Sequence, residues 1–239
     1  MNYNLEHYVY LALKKLSYQV TFYGYKTRLG RLANPVRMAV TRSSAIRYMA
    51  GWFWLNKINS EIRRMAESIE VDLVLSIKGE MVRPETVEWL RDELGAKTTL
   101  WYPDDPRYFD SLVRYIAPSY DHVFTASEKA VSAYREIGVD KIHFLPFGCE
   151  PSIHTKIELS EQERKKHKCD VCFVGTYTPK RAKAIRKLKG LDVGIYGPYW
   201  KYFTFGGNIH DAIYGPEMAN AFNAARIVLN IHVEDDLSY

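Results

Sequence analysis

A chain of 239 residues, 47% hydrophobic and 26% charged, has the composition of a folded globular protein and is long enough for one large or two small domains. This composition excludes a disordered chain and a fibrous protein. The 33 Lys and Arg residues exceed the 28 Asp and Glu residues by five, so the net charge suits anionic ligands without requiring nucleic acid.

Helical and strand patterns alternate along the chain. Leu5–Leu16 carries apolar residues at three- and four-residue spacing, which predicts a helix. Later helices are predicted to begin near Pro84, Ser127, Thr178 and Gly215, where capping residues or prolines precede apolar periodicity. The predicted strands are Gln19–Tyr25, Val71–Ile77, Thr98–Tyr102, His122–Thr125, His143–Phe147, Asp170–Val174, Val193–Tyr196 and Ile227–Ile231.

Short apolar strands separated by single helices predict parallel sheets covered by helices on both faces. The segment Gly148–Lys168 breaks the alternation with glycine, proline and charged residues, and we interpret it as a linker. We therefore predict an α/β chain of two Rossmann-like lobes whose sheets face a cleft, with domains at residues 1–148 and 149–239. Because the chain starts on a helix and stops soon after its last strand, we expect the second lobe to be incomplete.

Polar residues follow the strand that is predicted to open the second lobe. Ligands of open parallel sheets bind beyond the carboxyl ends of the strands. Gly175 lets a ligand approach the backbone, and Thr178 with Pro179 fits the start of a helix whose N–H groups attract anions. Lys180 and Arg181 add positive charge there. The pattern predicts a phosphate site at this loop, and an ordinary turn with two solvated bases is the alternative.

The first lobe carries charged residues at corresponding positions. Asp104 and Asp105 lie in a proline-flanked turn, where a carboxylate could accept a proton from a sugar hydroxyl. A role for Asp105 in merely capping the turn is the alternative. Lys78 and Glu80 follow the preceding strand, and Arg107 follows the acidic pair, so these three are candidates for contact with an acceptor. Solvated loop residues are the alternative for Lys78 and Glu80.

We expect no metal site in this chain. Cys169 and Cys172 match the C-x-x-C spacing, but residues three apart on a strand point to opposite faces and cannot share a metal. The seven histidines lack ligand spacing, and we interpret His143 and His210 as structural or surface residues.

The segment Lys26–Arg64 combines aromatic residues with nine bases and a single acid, Glu61. A basic helix with Trp and Phe can lie on an anionic membrane, where a lipid-linked acceptor would be found. An aromatic stripe facing the core, with a solvated basic back, is the alternative, and nucleic acid is the least favoured partner.

The location expected of this protein follows from absent signals. Three cysteines do not make a disulfide framework, and the sequence has neither a secretory leader nor an apolar stretch of about 18 residues. We expect a cytoplasmic protein, with peripheral contact to the inner face of the membrane as a further expectation.

A series of short motifs resembles one enzyme family. In chain order they are Trp101–Pro106 (WYPDDP), Tyr120–Thr125 (YDHVFT), Leu145–Gly148 (LPFG), Asp170–Thr176 (DVCFVGT), Gly194–Gly197 (GIYG) and Ala225–Asn230 (ARIVLN). Their order and spacing resemble those of the CgeB-like (spore-maturation-type) glycosyltransferases, which have the GT-B fold.

This resemblance implies metal-independent transfer from a nucleotide-sugar donor to a sugar, lipid-linked or protein acceptor, without a cofactor. It implies that Asp104 or Asp105 lies near the reacting sugar. The residues expected at the donor diphosphate are Gly175, Thr176, Tyr177, Lys180 and Arg181, and those expected at the nucleotide are Gly197, Tyr214 and Gly215. A non-catalytic protein that binds a sugar or nucleotide is the alternative, because the family's opening strand and closing acidic segment are absent from this sequence.

Overall fold

The computed structural model describes residues 4–25, 44–203 and 208–232, with the backbone alone for residues 44–50. The described residues form two compact units. Residues 10–147 make up the first unit, and residues 4–9 join residues 148–232 in the second. Each unit contains a four-stranded sheet whose paired strands are parallel. The prediction of an α/β chain with two parallel sheets is therefore confirmed.

The first unit contains a sheet whose strands lie in chain order. They are β1 (Leu73–Ile77), β2 (Lys97–Tyr102), β3 (His122–Thr125) and β4 (Ile142–Phe144). Five consecutive residues of β2 are buried, because helices cover both faces of a central parallel strand. Leu100 and Tyr102 of β2 pack in one core with Val123 of β3 and with Tyr134.

The sheet of the second unit has a strand order that differs from the order of the strands along the chain. Its strands are β5 (Cys169–Val174), β6 (Val193–Tyr196), β7 (Asn208–His210) and β8 (Ala225–Leu229). They lie in the order β7-β6-β5-β8, so β8 pairs with the side of β5 that β6 leaves open. This reversal makes a topological switch point at the carboxyl ends of β5 and β8, where open α/β sheets bind their ligands.

Helices connect the strands and begin where the local chemistry favours them. They are α1 (Leu5–Lys15), α2 (Ser44–Glu67), α3 (Pro84–Asp92), α4 (Ala130–Glu136), α5 (Glu161–His167), α6 (Pro179–Ile185) and α7 (Gly215–Ala224), with short helical turns at Phe109–Val113, Arg114–Ile116, Ala117–Ser119 and Trp200–Tyr202. Pro84 begins α3, and Pro179 begins α6 after the capping side chain of Thr178. Ser160 and Glu163 form a reciprocal capping box at α5.

Most predicted elements are found within three residues of their expected ends, but the strand predicted at Gln19–Tyr25 is wrong. Residues 18–24 form no strand, and the Tyr23 hydroxyl donates instead to the Glu61 carboxylate at 2.8 Å. A strand forms where a neighbouring edge is available, which the local pattern does not report. The sequence also missed β7, which is three residues long, and α5, which lies in the charged part of the predicted linker.

Residues 26–43 of the basic segment lie outside the described residues, and its remainder, residues 44–64, belongs to α2. Within the described ranges, no helix is both long and apolar enough to cross a membrane.

Asn59 joins α2 to the turn that precedes α3. Its side chain is buried, Nδ2 donates to the carbonyl of Met81 at 2.9 Å, and Oδ1 accepts from the amide of Arg83 at 2.9 Å. Nδ2 also lies 2.7 Å from the carbonyl of Leu55. One amide side chain therefore pairs backbone groups of two elements.

We predict that Asn59→Ala lowers the free energy of unfolding by about 2 kcal/mol, because it removes the partners of the Met81 carbonyl and the Arg83 amide. Urea denaturation measures this loss. Asn56→Ala on the same helix is the matched control and should change stability by less than about 0.5 kcal/mol, since Asn56 bonds at the exposed surface. Equal losses in the two variants would contradict the assignment.

Candidate functional site

The loop that follows β5 lies at the switch point and is tied to the turn after β6. The Gly175 amide donates to the carbonyl of Tyr196 at 2.8 Å, and the Tyr177 amide donates to that of Pro198 at 3.1 Å. Trp200 Nε1 donates to the carbonyl of Gly175 at 2.8 Å. These bonds hold the loop backbone in one position.

Gly197 lies so close to this loop that no side chain fits there. A Cβ added to Gly197 would lie 2.1 Å from the carbonyl oxygen of Gly175 and 2.7 Å from its carbonyl carbon, and φ of Gly197 is +153°. Both contacts are with backbone, which has no flexible end to move aside. Glycine is therefore required at position 197, where the loops after β5 and β6 come close together.

Arg181 bridges the loops that follow β5 and β8. Its Nε donates to the carbonyl of Ile231 at 2.9 Å, and Nη1 donates to that of Thr176 at 2.9 Å. The guanidinium carbon lies 5.4 Å from the centre of the Phe173 ring, and burial lowers the pKa of Arg181. The two bonds use two of the five N–H donors of the guanidinium. Arg181 thus links the loop after β5 to the loop after β8 at the switch point.

The other residues predicted at a diphosphate differ in how accessible their side chains are. Tyr177 stacks its ring on that of Phe203, with 3.9 Å between the ring centres. Thr176 is exposed and Lys180 is half-buried. A ligand at this loop would therefore meet the side chains of Thr176 and Lys180, whereas Tyr177 is engaged in packing.

Tyr214 and Gly215, predicted near the nucleotide, lie at the start of α7. Tyr214 is exposed, and the buried Gly215 has a φ of +54°, which favours glycine. α7 packs against α5, β5 and β8, and Glu217 in its first turn pairs with Lys166 of α5 at 2.7 Å. Tyr214 therefore presents an aromatic ring at the surface, while Gly215 shapes the turn.

In the first unit, Lys78 and Asp104 meet at the carboxyl edge of the sheet. Lys78 follows β1 with a φ of +67°, its amide donates to the carbonyl of Trp101, and its ammonium pairs with the Asp104 carboxylate. Their side chains are 23% and 35% exposed, so solutes can reach the pair. The exposed Arg107 bonds to the Asp104 carbonyl through its amide, and Glu80 is half-buried in the neighbouring turn.

Asp105 lies in a different environment from its neighbour in sequence. It is fully buried, and its Oδ2 accepts hydrogen bonds from Thr125 Oγ1 at 2.7 Å and from the Tyr134 hydroxyl at 2.8 Å. Oδ1 has no hydrogen-bond partner among the residues that the structure describes. Burial raises the pKa of Asp105 to about 6, against the effect of the two hydrogen bonds. Asp105 is therefore enclosed by the protein, whereas Asp104 is accessible to solvent.

The expectation that Cys169 and Cys172 point to opposite faces is wrong. Both side chains are buried in one cluster. The consecutive amides of Asp170 and Val171 both donate to the carbonyl of Asp192, which forms a bulge and turns Cys169 to the face of Cys172. Burial raises the pKa of Cys172 to about 12. The two cysteines are free thiols rather than a disulfide.

The sequence did not point to a cavity of about 270 Å³ in the second unit. Within it, His167 Nδ1 lies 3.1 Å from the Tyr196 hydroxyl, and the Tyr196 ring stacks on His210 with ring centres 4.5 Å apart. Burial lowers the pKa of His167. The cavity is lined by Lys166, His167, Tyr196, His210, Asp211, Ala212, Ile213 and Glu217. Because they come from separate segments, no local motif marks them.

Across the described part of the chain, no group of three or more His, Cys, Asp or Glu side chains is arranged to hold a metal ion. No family model matches this sequence, and no curated protein matches it.

We predict that the stability contributed by Asp105 depends on pH. Because its pKa is about 6 in the folded state and 3.8 in the reference state, the folded protein binds the proton more tightly. This contribution is complete below about pH 4 and is lost as the pH rises through 6, a change of about 3 kcal/mol. Urea titrations of Asp105→Asn should lack this dependence.

The exposed Asp110, which pairs with Arg114 at the surface, provides the matched control for this titration. Asp110→Asn should keep the pH dependence of the wild type. A wild-type profile that parallels that of Asp105→Asn between about pH 4 and about pH 7 would contradict the assignment.

We predict that Gly197→Ala destabilises the second unit by about 3 kcal/mol, because the added methyl group overlaps the carbonyl of Gly175. Thermal unfolding measures the change. Gly148→Ala is the control in the same unit, since a Cβ at Gly148 meets no atom within 4 Å. If both variants unfold at the wild-type temperature, the close approach is not a constraint.

Proposed function

We propose that this protein is a glycosyltransferase of the GT-B type, which transfers a sugar from a nucleotide-sugar donor to an acceptor without a metal ion. The observation that carries the proposal is the position of the Gly175 loop at the switch point between β5 and β8. Ligands of open α/β sheets bind in this crevice. The order of the short motifs, which resembles that of the CgeB-like enzymes, supports a nucleotide sugar as the ligand.

The charge around the switch point supports an anionic ligand. The first turn of α6, which follows this loop, carries Lys180 and Arg181 and no acidic residue. A departing nucleoside diphosphate gains negative charge in the transition state, and charged donors held in advance stabilise it. We assign contacts with the diphosphate to Thr176 and Lys180. Arg181 acts as the positioning residue that fixes the Thr176 and Ile231 carbonyls.

The acceptor is assigned to the first unit. A general base must reach the proton that it removes, and Asp104 is accessible whereas Asp105 is buried. Asp104 is therefore the proposed base, held by Lys78. Glu80 and Arg107, in the neighbouring turns, are the proposed contacts for a sugar, lipid-linked or protein acceptor.

A binding protein without transferase activity is the second candidate. The observation that favours it is the use of two Arg181 donors by main-chain carbonyls, which leaves fewer donors for a leaving group. Such a protein would hold a nucleotide or sugar at the same loop.

Calorimetry against a panel of nucleoside diphosphates tests the site. We expect at least one to bind with a Kd below about 1 mM, and Lys180→Ala to weaken binding about tenfold because it removes a charged contact. Lys183→Ala, on the exposed side of the same helix, is the matched control and should bind as the wild type does. Absence of binding to every diphosphate would contradict the transferase and leave, of the second candidate, only a protein that binds a sugar.

Turnover distinguishes the two candidates. The full chain is incubated with nucleotide sugars, with water serving as the acceptor of the sugar, and release of the nucleoside diphosphate is measured for the wild type and for Asp104→Asn. The transferase proposal expects release by the wild type and about a hundredfold less by the variant, with unchanged diphosphate binding. Binding without any release supports the non-catalytic protein.

A further inference from the structure

Over residues 51–67, α2 has one buried face and one solvent face. Ile58 and Ala66 are buried in the first unit. On the opposite side, Phe53, Lys57 and Arg64 are exposed and recur at helical spacing, so they lie along one stripe. The helix is therefore anchored to the unit and presents its remaining surface outward.

The outward surface begins with aromatic rings. Trp52 and Phe53 are 59% and 56% exposed, and Phe53 contacts Trp54 edge to face with ring centres 5.7 Å apart. Lys57 Nζ lies 5.3 Å from the centre of the Trp54 ring. Large aromatic side chains bury apolar area when a partner covers them, and Trp52 and Phe53 stay exposed among the residues that the structure describes.

A neighbouring segment carries further exposed rings. The Tyr23 hydroxyl donates to the Glu61 carboxylate of α2, which fixes residues 18–25 beside the helix. Tyr18 and Phe22, on this segment, are 60% and 49% exposed. Exposed rings are thus present on two adjoining elements of one unit.

The charge of the region favours an anionic partner. Residues 51–67 of the helix carry three bases, Lys57, Arg63 and Arg64, and two acids, of which Glu61 accepts the bond from Tyr23. On the solvent stripe, Lys57 and Arg64 precede its acidic residue, Glu67, at the helix end. Long basic side chains can reach lipid phosphates while rings insert between headgroups.

We propose that the stripe formed by Phe53, Lys57 and Arg64, together with the exposed Trp52 about 100° round the helix from Phe53, docks on the surface of an anionic lipid bilayer. The aromatic pair enters the headgroup region, and the two cations lie against the phosphates. The rings lie together at residues 52–54 instead of alternating with the bases as stacking platforms for a nucleic acid do, which favours lipid. Docking is independent of the proposed transfer reaction.

Flotation of the full chain with vesicles tests the docking. We expect binding to vesicles of phosphatidylcholine mixed with phosphatidylglycerol, weak binding to phosphatidylcholine alone, and release by salt. The double variant Trp52→Ala, Phe53→Ala should lower the partition coefficient at least about tenfold. Tyr115→Ala, which removes a 67% exposed ring of the same unit, should change it less than about twofold.

A second pair of variants measures the electrostatic part without removing apolar surface. Lys57→Gln with Arg64→Gln should weaken binding to the anionic vesicles about tenfold and reduce its salt dependence. Three results would overturn the proposal: no binding to anionic vesicles, equal binding to both vesicle types, or binding that the aromatic variant leaves unchanged. Self-association abolished by the aromatic variant, or RNA that displaces the vesicles, would overturn it in favour of a second copy or a nucleic acid.

Discussion

The second unit depends on one close contact between backbones. The carbonyl of Gly175 occupies the space that a side chain at Gly197 would need, and Trp200 fixes the same carbonyl from the side. Arg181 then joins this loop to Ile231 after β8. The loop at the switch point is therefore ordered by the protein itself, so it would lose less conformational entropy when a ligand binds there.

The first unit assigns opposite environments to two adjacent carboxylates. Asp104 faces solvent and pairs with Lys78, whereas Asp105 points inward to Thr125 and Tyr134. Burial disfavours the charged form, so Asp105 holds its proton to a higher pH than an exposed carboxylate does. The two aspartates of this turn therefore differ: the Asp104 carboxylate is accessible to solvent, and the Asp105 carboxylate belongs to the core.

Local patterns predicted the elements with the strongest burial and capping signals. The buried run of β2 and the helix starts at Pro84 and Thr178 follow from chemistry within a few residues. The inferred facing of Cys169 and Cys172 failed, because the bulge depends on two amides sharing the carbonyl of a residue about twenty positions away. The cavity around His167 was not predicted either, because its lining residues come from separate segments of the chain.

The sequence by itself determined the α/β class, the parallel sheets and the loops to inspect, since periodicity and capping act between near neighbours. Tertiary structure alone decided that β8 returns beside β5, that Asp105 is buried, and that Arg181 braces a carbonyl 50 residues away. These outcomes depend on which distant segments pack together. That choice is made by the free energy of the whole fold, which no local window of sequence contains.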